Sequence, residues 1–301
     1  MIRRAVGIDR IRGTCDKENT LGLQDCQATA LRVVRRLLND GKDVTVAIAT
    51  MGPRLTGVAL PEPRARLVYL IVVQAAEGNP LPAALGGRSD VQVLYLDGHG
   101  LSRSRNAALE QAGTDLLVFA DDDMTLRPEG LLALADHLRA RPDLGFAAGW
   151  REGRLPRHGR RAGWHRLGLT NSGRVCAPEL IVRRNRVLGC AVRFDEAFGK
   201  GARHGLGEDY VFVADMLRAG MRGEALPIIT GRHHGPSTGE LWTSPAIFNA
   251  RLAVQTRVFG RGARLVHPLY ALRHARRFAR PGLAVRFALG LAMRDDPGRG
   301  A

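Results

Sequence analysis

LVFADDDMTL, residues 117–126, runs from four apolar residues straight into three aspartates. The apolar part reads as a buried strand. Adjacent carboxylates repel one another and resist burial. The aspartates therefore mark a strand end, where they either cap the next helix or hold a cation. Magnesium and manganese take oxygen ligands, and one or two carboxylates plus substrate phosphates suffice. In a strand-end turn Asp121 and Asp123 lean towards one point, while Asp122 supports the loop.

Outward from this stretch the chain alternates. VTVAIAT (44–50), LVYLIVV (67–73), VQVLYL (91–96) and TDLLVFA (114–120) are short apolar runs of the kind buried on both faces of a sheet. LSRSRNAALEQAG (101–113) reads as a helix with Ser102 a candidate N-cap, and RPEGLLALADHLRAR (127–141) as a helix with Pro128 in its first turn. GEDYVFVADMLRAG (207–220) opens on acids and closes on Gly220, a third helix. Such alternation predicts an α/β fold with a mostly parallel sheet and helices on both faces. Ligands bind such sheets beyond the carboxyl ends of the strands, where the aspartates lie. MGPRLTGVALPEPRAR (51–66) is too rich in proline for a full helix, and REGRLPRHGRRAGWHRLGLTNSG (151–173) reads as a basic loop.

Three regions are expected: an N-terminal extension (1–43) with an amphipathic helix over 21–41, an α/β domain (44–240), and basic amphipathic helices (241–301). The 301 residues carry a formal net charge of +16, which favours anionic partners. Cys15, Cys26, Cys176 and Cys190 form no C-x-x-C pair, so neither a zinc site nor a redox motif is indicated. The most apolar stretches are too short to span a bilayer alone, and any membrane contact would be peripheral.

Other residues carry candidate chemistry. GLSRSRNAAL (100–109) places arginines beside a helix N-terminus, where phosphate binds well and where cations are otherwise misplaced. Glu208 and Asp209 begin a helix, and acids belong there without any function. His233 and His234 in TGRHHGPSTG (230–239) offer an imidazole ligand or a phosphate contact, or simply a surface loop.

In order, these segments resemble family 2 glycosyltransferases of the GT-A fold, over roughly residues 44–240. ATMG (49–52) and VVQ (72–74) match the ends of that family's first two strands. GLSRSRNAAL matches its Arg-Asn helix, FADDD its Asp-x-Asp motif, and RFDEAFGKGARHGLGEDYVF (193–212) its acceptor segment with the Glu-Asp motif. The likeness is greatest to enzymes building bacterial capsule, O-antigen and exopolysaccharide chains. It implies an inverting glycosyltransferase with a nucleotide-diphosphate sugar donor and a glycan or lipid-linked acceptor. It assigns Mg2+ or Mn2+ to Asp121 and Asp123, with His233 or His234 completing the shell. Donor contacts fall to Thr50, Gln74, Arg105, Asn106 and Asp121, with Arg105 facing the diphosphate and Asn106 bracing the loop. Asp209 becomes the general base and Glu208 its orienting partner. Gln74 stands where many members carry acids that read the base, so the nucleotide stays open.

The basic C-terminal region adds an anionic membrane as a partner, placing a cytoplasmic enzyme on the inner face of the plasma membrane. Two rival readings compete with this one. A sugar-phosphate nucleotidyltransferase needs a Gly-rich basic loop after the first strand, which ATMGPRL only faintly suggests. A nucleic-acid-binding module needs aromatic platforms; at 5% aromatics and with no binding motif, none is expected.

Overall fold

The computed structural model describes residues 41–235, 242 and 244–293. The helix expected over 21–41 lies outside them, save for Gly41, as do Cys15 and Cys26; Cys176 and Cys190 are free thiols.

The four apolar runs form β1 (Val44–Met51), β2 (Leu67–Gln74), β3 (Val91–Leu96) and β4 (Leu116–Asp121). They lie parallel in the order β3-β2-β1-β4. Alternate residues serve opposite faces, as pleating requires. Leu117 and Phe119 of β4 enter one core and Leu116, Val118 and Ala120 the other. Helices cover both. On the first face lie α2 (Leu101–Gln111) and α5 (Glu208–Arg218), packed through Leu109 and Phe212. On the second lies α3 (Pro128–Ala140), packed through Leu131, Leu134 and Leu138. A short helix, α1 (Ala83–Gly86), precedes β3, and the stretch after β1 forms only a 3-10 turn, Gly52–Gly57.

Beyond β4 the sheet becomes mixed. β5 (Met124–Leu126), β6 (Leu144–Arg151), β7 (His165–Arg166), β8 (Leu180–Arg183) and β9 (Arg222–His233) complete nine strands among the described residues. β8 runs antiparallel between β4 and β6, and β9 pairs parallel with β6. A short helix, α4 (Arg184–Gly189), follows β8. The helix-cap reading of the three aspartates gives way here. β5 separates them from α3, whose N-cap is Arg127, without a side-chain cap. Ser102 is likewise no cap: Gly100 occupies that place, and the Ser102 hydroxyl donates to the Phe198 carbonyl.

The C-terminal segment forms α6 (Pro245–Phe259), α7 (Ala263–Arg273) and α8 (Pro281–Ala288). α6 packs on α5 through Val254 and Val258 against Val211 and Ala214. Gly207 makes this approach possible. It has φ +93°, and a Cβ there would lie 2.2 Å from Val254 Cγ2. The start of α5 is therefore pressed directly against α6.

Candidate active site

Parallel register aligns the carboxyl ends of the central strands. Met51 pairs with Gln74, and Ala49 with Asp121. A cleft of about 1120 Å3 opens there, lined in part by Thr50, Gln74, Arg105, Asp121, Asp123 and Asp209. Gln74 is buried, with Nε2 3.4 Å from the Gly100 carbonyl.

The aspartate turn divides its work. Asp122 turns into the protein: Thr50 Oγ1 donates to its Oδ2 at 2.8 Å, and Arg54 Nη2 lies 2.5 Å from its Oδ1. Burial pushes its carboxyl above the usual range, while Thr50 and Arg54 oppose that shift. Asp121 and Asp123 instead face the cleft with His233 from the end of β9. One ligand atom from each of the three lies within 4.8 Å of the others. His233 Nδ1 sits 3.2 Å from the Gly235 carbonyl oxygen, so a neutral ring carries its proton there. Its other nitrogen then turns a lone pair on Asp123 Oδ1, 3.2 Å away. That oxygen is buried and has no hydrogen-bond partner. A divalent cation between these two atoms would satisfy both, and two carboxylates with one imidazole suit Mg2+ or Mn2+. His234 is directed elsewhere: its Nε2 meets Thr125 Oγ1 at 2.7 Å.

Arg105 joins this turn to the helix bearing the second acidic pair. It is 3% exposed. Its Nη1 donates to Glu208 Oε1 at 3.0 Å and to Asp209 Oδ1 at 2.6 Å, while Nη2 donates to Asp121 Oδ1 at 3.1 Å. The guanidinium expected to face a diphosphate is therefore clasped by three carboxylates. One positive charge among three negative ones leaves the site anionic. Burial, and after it the neighbouring Asp209, together raise the Glu208 carboxyl to about 7 against the pull of Arg105. Burial also raises Asp209, opposed by Arg105 and by a backbone hydrogen bond at Ala177. A buried carboxylate held above its ordinary range suits proton abstraction near neutral pH.

Asn106 clasps the segment that leads into α5. Its Nδ2 donates to the Phe194 carbonyl at 2.9 Å and to Glu196 at 3.1 Å, and its Oδ1 accepts from Phe194 N at 2.8 Å. Phe194 in turn stacks on Phe212 of α5, with ring centroids 3.9 Å apart.

Other wall residues escaped the sequence reading. Arg151 Nε donates to Glu179 at 3.1 Å, and the Arg174 guanidinium lies 3.4 Å from the Trp150 ring centroid. Burial lowers the Arg174 pKa to about 10. α6 and α7 contribute Arg251, Gln255, Tyr270 and Arg273 to the same cleft. No motif flags these positions, because the chain returns to the cleft from long distances in sequence.

Residues 80–213 match the family model described as Glycosyl transferase family 2. The chain carries a family 2 glycosyltransferase domain. Solved structures agree on the GT-A fold. S. aureus TarS 1–349 in complex with UDP superposes with a TM-score of 0.55 at 16% identity, covering 79% of this chain and 73% of that one. The same protein in complex with UDP-GlcNAc gives 0.53 at 16%, covering 77% and 72%. Mannosyltransferase PcManGT from Pyrobaculum calidifontis, in complex with GDP-Man and Mn2+, gives 0.51 at 14%, covering 88% of each chain. Comparison with curated proteins returned no match. The nucleotidyltransferase and nucleic-acid readings are set aside: the protein is a glycosyltransferase. Among the described residues, no helix is long and apolar enough to cross a membrane.

Proposed function

We propose that this glycosyltransferase is metal-dependent and inverting, and that it acts in cell-surface polysaccharide synthesis. It moves a sugar from a nucleotide-diphosphate donor to a hydroxyl of a glycan or lipid-linked glycan. One observation carries the reading: Arg105 ties Asp121, beside the Asp123–His233 pair, to the Glu208–Asp209 pair across one cleft. The set thus combines a cation site and a base at the ends of parallel strands. The UDP-GlcNAc bound by TarS and the GDP-Man and Mn2+ bound by PcManGT support this choice of donor and cation.

Asp121, Asp123 and His233 would hold Mg2+ or Mn2+. Once bound, that ion offsets the charge developing on the diphosphate as it leaves. Thr50 and Gln74 lie at the strand ends that face the nucleotide, with Thr50 fixing the turn through Asp122. Arg105 holds Asp121 and Asp209 in one frame. Asp209 takes the proton of the acceptor hydroxyl, and Glu208 keeps that carboxylate oriented. The acceptor oxygen bonds to the anomeric carbon as the bond to the diphosphate breaks. With the base opposite the leaving group, attack in line inverts the anomeric centre. Residues 44–240 carry this chemistry. The basic region 241–301 serves acceptor and membrane, with the enzyme peripheral on the cytoplasmic side of an anionic bilayer.

The test is thermal stabilisation by UDP, GDP or TDP, each with and without Mn2+. One nucleotide should raise the melting temperature only with the metal present. If none of the three does so, the reading fails.

A further inference from the structure

Helix α7 presents different chemistry on different sides. Ala263, His267 and Ala271 are buried against the protein. Leu265, Leu269 and Leu272, spaced four and three residues apart, share the opposite stripe and are 73%, 66% and 77% exposed. Val285, Leu289 and Leu291, in and just after α8, are also exposed. So many large exposed apolar side chains within one short segment are uncommon on a protein that meets only water. The charges around them share one sign. Arg264, Arg273, Arg276, Arg277 and Arg280 have no carboxylate partner among the described residues. Leucines bordered by arginines that lack a carboxylate partner among the described residues complement a surface that is apolar within and anionic outside, as an acidic bilayer is.

A third side of α7 and the 3-10 turn that follows it, Ala275–Arg277, face the cleft. Tyr270, Arg273, His274 and Arg277 line the cavity that also holds Asp209. Arg277 lies 5.6 Å from the Trp242 ring centroid, with Arg251 of α6 closer still at 4.1 Å. Burial lowers the His274 pKa, and Arg277, Arg273 and Arg251 lower it further. Arg273 and Arg277 thus bring positive charge to the cleft wall, which favours an anionic ligand there. α6, which shares this wall, is the helix pressed onto Gly207 at the start of the Glu208–Asp209 helix.

We infer that α7 seats the enzyme on an anionic membrane and, together with the 3-10 turn that follows it, holds the phosphate of an acceptor anchored in that membrane through Arg273 and Arg277. The acceptor is thus an amphiphile whose phosphate lies between its lipid tail and the hydroxyl offered to Asp209. This identification rests on the proposed transferase reading, and its tests are binding measurements that need no turnover.

Two pairs of substitutions in the full chain separate the faces. Leu269→Glu with Leu272→Glu alters the outward stripe. Arg273→Gln with Arg277→Gln alters the cleft side. Wild type should float with phosphatidylglycerol vesicles at least tenfold better than with phosphatidylcholine vesicles, and the leucine variant should lose that flotation. Glycerol phosphate should stabilise wild type and the leucine variant against heat, but not the arginine variant. Inorganic phosphate serves as the control for simple anion binding. Stabilisation by nucleotide with Mn2+ should persist in both variants, and its absence from wild type as well would fault the transferase reading instead. The inference is overturned if the leucine variant floats like wild type. It is equally overturned if glycerol phosphate protects the arginine variant as it does wild type, or protects wild type no better than inorganic phosphate.

Discussion

The cleft contains two acidic pairs that the same guanidinium touches, and their surroundings make them different reagents. Asp121 and Asp123 sit on a strand-end turn, with side chains 28% and 35% exposed. Glu208 and Asp209 open a helix pressed beneath α6, with side chains 11% and 17% exposed. The open pair can present charge to a cation at small desolvation cost. The enclosed pair is pushed towards protonation, most clearly at Glu208, which is raised to about 7. Residue type alone does not separate a metal ligand from a base; enclosure does.

The most severe way to break this arrangement is Arg105→Gln. Both pairs lose their shared cation, and three carboxylates are left crowded in a buried site. Removing one partner of a buried charge cluster costs about 3–5 kcal/mol. Urea unfolding should show a loss of that order, together with loss of transfer. Unchanged stability would mean that Arg105 does not bind the pairs together.

Asp209→Asn and Asp123→Ala break one side each. The first should lower transfer by about 10²–10⁴-fold, the range a general base supplies, while nucleotide binding with Mn2+ persists. The second should abolish metal-dependent nucleotide binding as well as transfer. Calorimetric titration with nucleotide and Mn2+ beside a transfer assay distinguishes them, and normal transfer by Asp209→Asn would remove it as the base.

Acidity sharpens the contrast. The base must be ionised, so transfer should fall by roughly tenfold per pH unit as pH drops below the raised range of the enclosed pair. Stability should move oppositely. A carboxyl whose folded pKa exceeds its unfolded one contributes stability that is present at low pH. For Glu208, raised from 4.5 to about 7, that contribution is lost as pH rises through about 7. Glu208→Gln should flatten this part of the stability profile in urea unfolding. An unchanged profile would place the titration on another group.

Much of this was legible because β1, β2 and β4 are buried on both faces and read as unbroken apolar runs. The three aspartates were legible as a strand end and the Glu-Asp pair as a helix start, while the roles proposed for them came only from the family resemblance. β6 and β9 were not legible. LGFAAGWR carries Gly145 and Gly149, which interrupt an apolar strand pattern. Yet a Cβ at Gly149 would lie 2.7 Å from both the Ile228 carbonyl oxygen and Thr230 Cγ2, so close packing explains the glycine. β9 contains Pro227, and its pairing with β6 shifts register at three places, which erases simple alternation. With β9 unseen, nothing in the sequence could choose between the adjacent histidines. The partners of Arg105 were hidden for a related reason: its position at a helix start suggests phosphate, while the three carboxylates that meet its Nη1 and Nη2 lie far along the chain.

That choice between histidines yields the smallest expected effect and the finest test of the open pair. Successive residues at a strand end point to opposite sides. His233 therefore meets Asp123, and His234 meets Thr125. His233→Ala should weaken Mn2+ binding by at least about tenfold, because one of three neighbouring ligand atoms is lost. His234→Ala removes a single exposed hydrogen bond, worth about 0.5–1.5 kcal/mol at most, and should leave Mn2+ affinity unchanged. Titrating Mn2+ by its paramagnetic signal reads both variants directly. Equal losses would show that the tip of β9 acts as one unit. A loss only in His234→Ala would move the cation to the other side of the strand and away from Asp121.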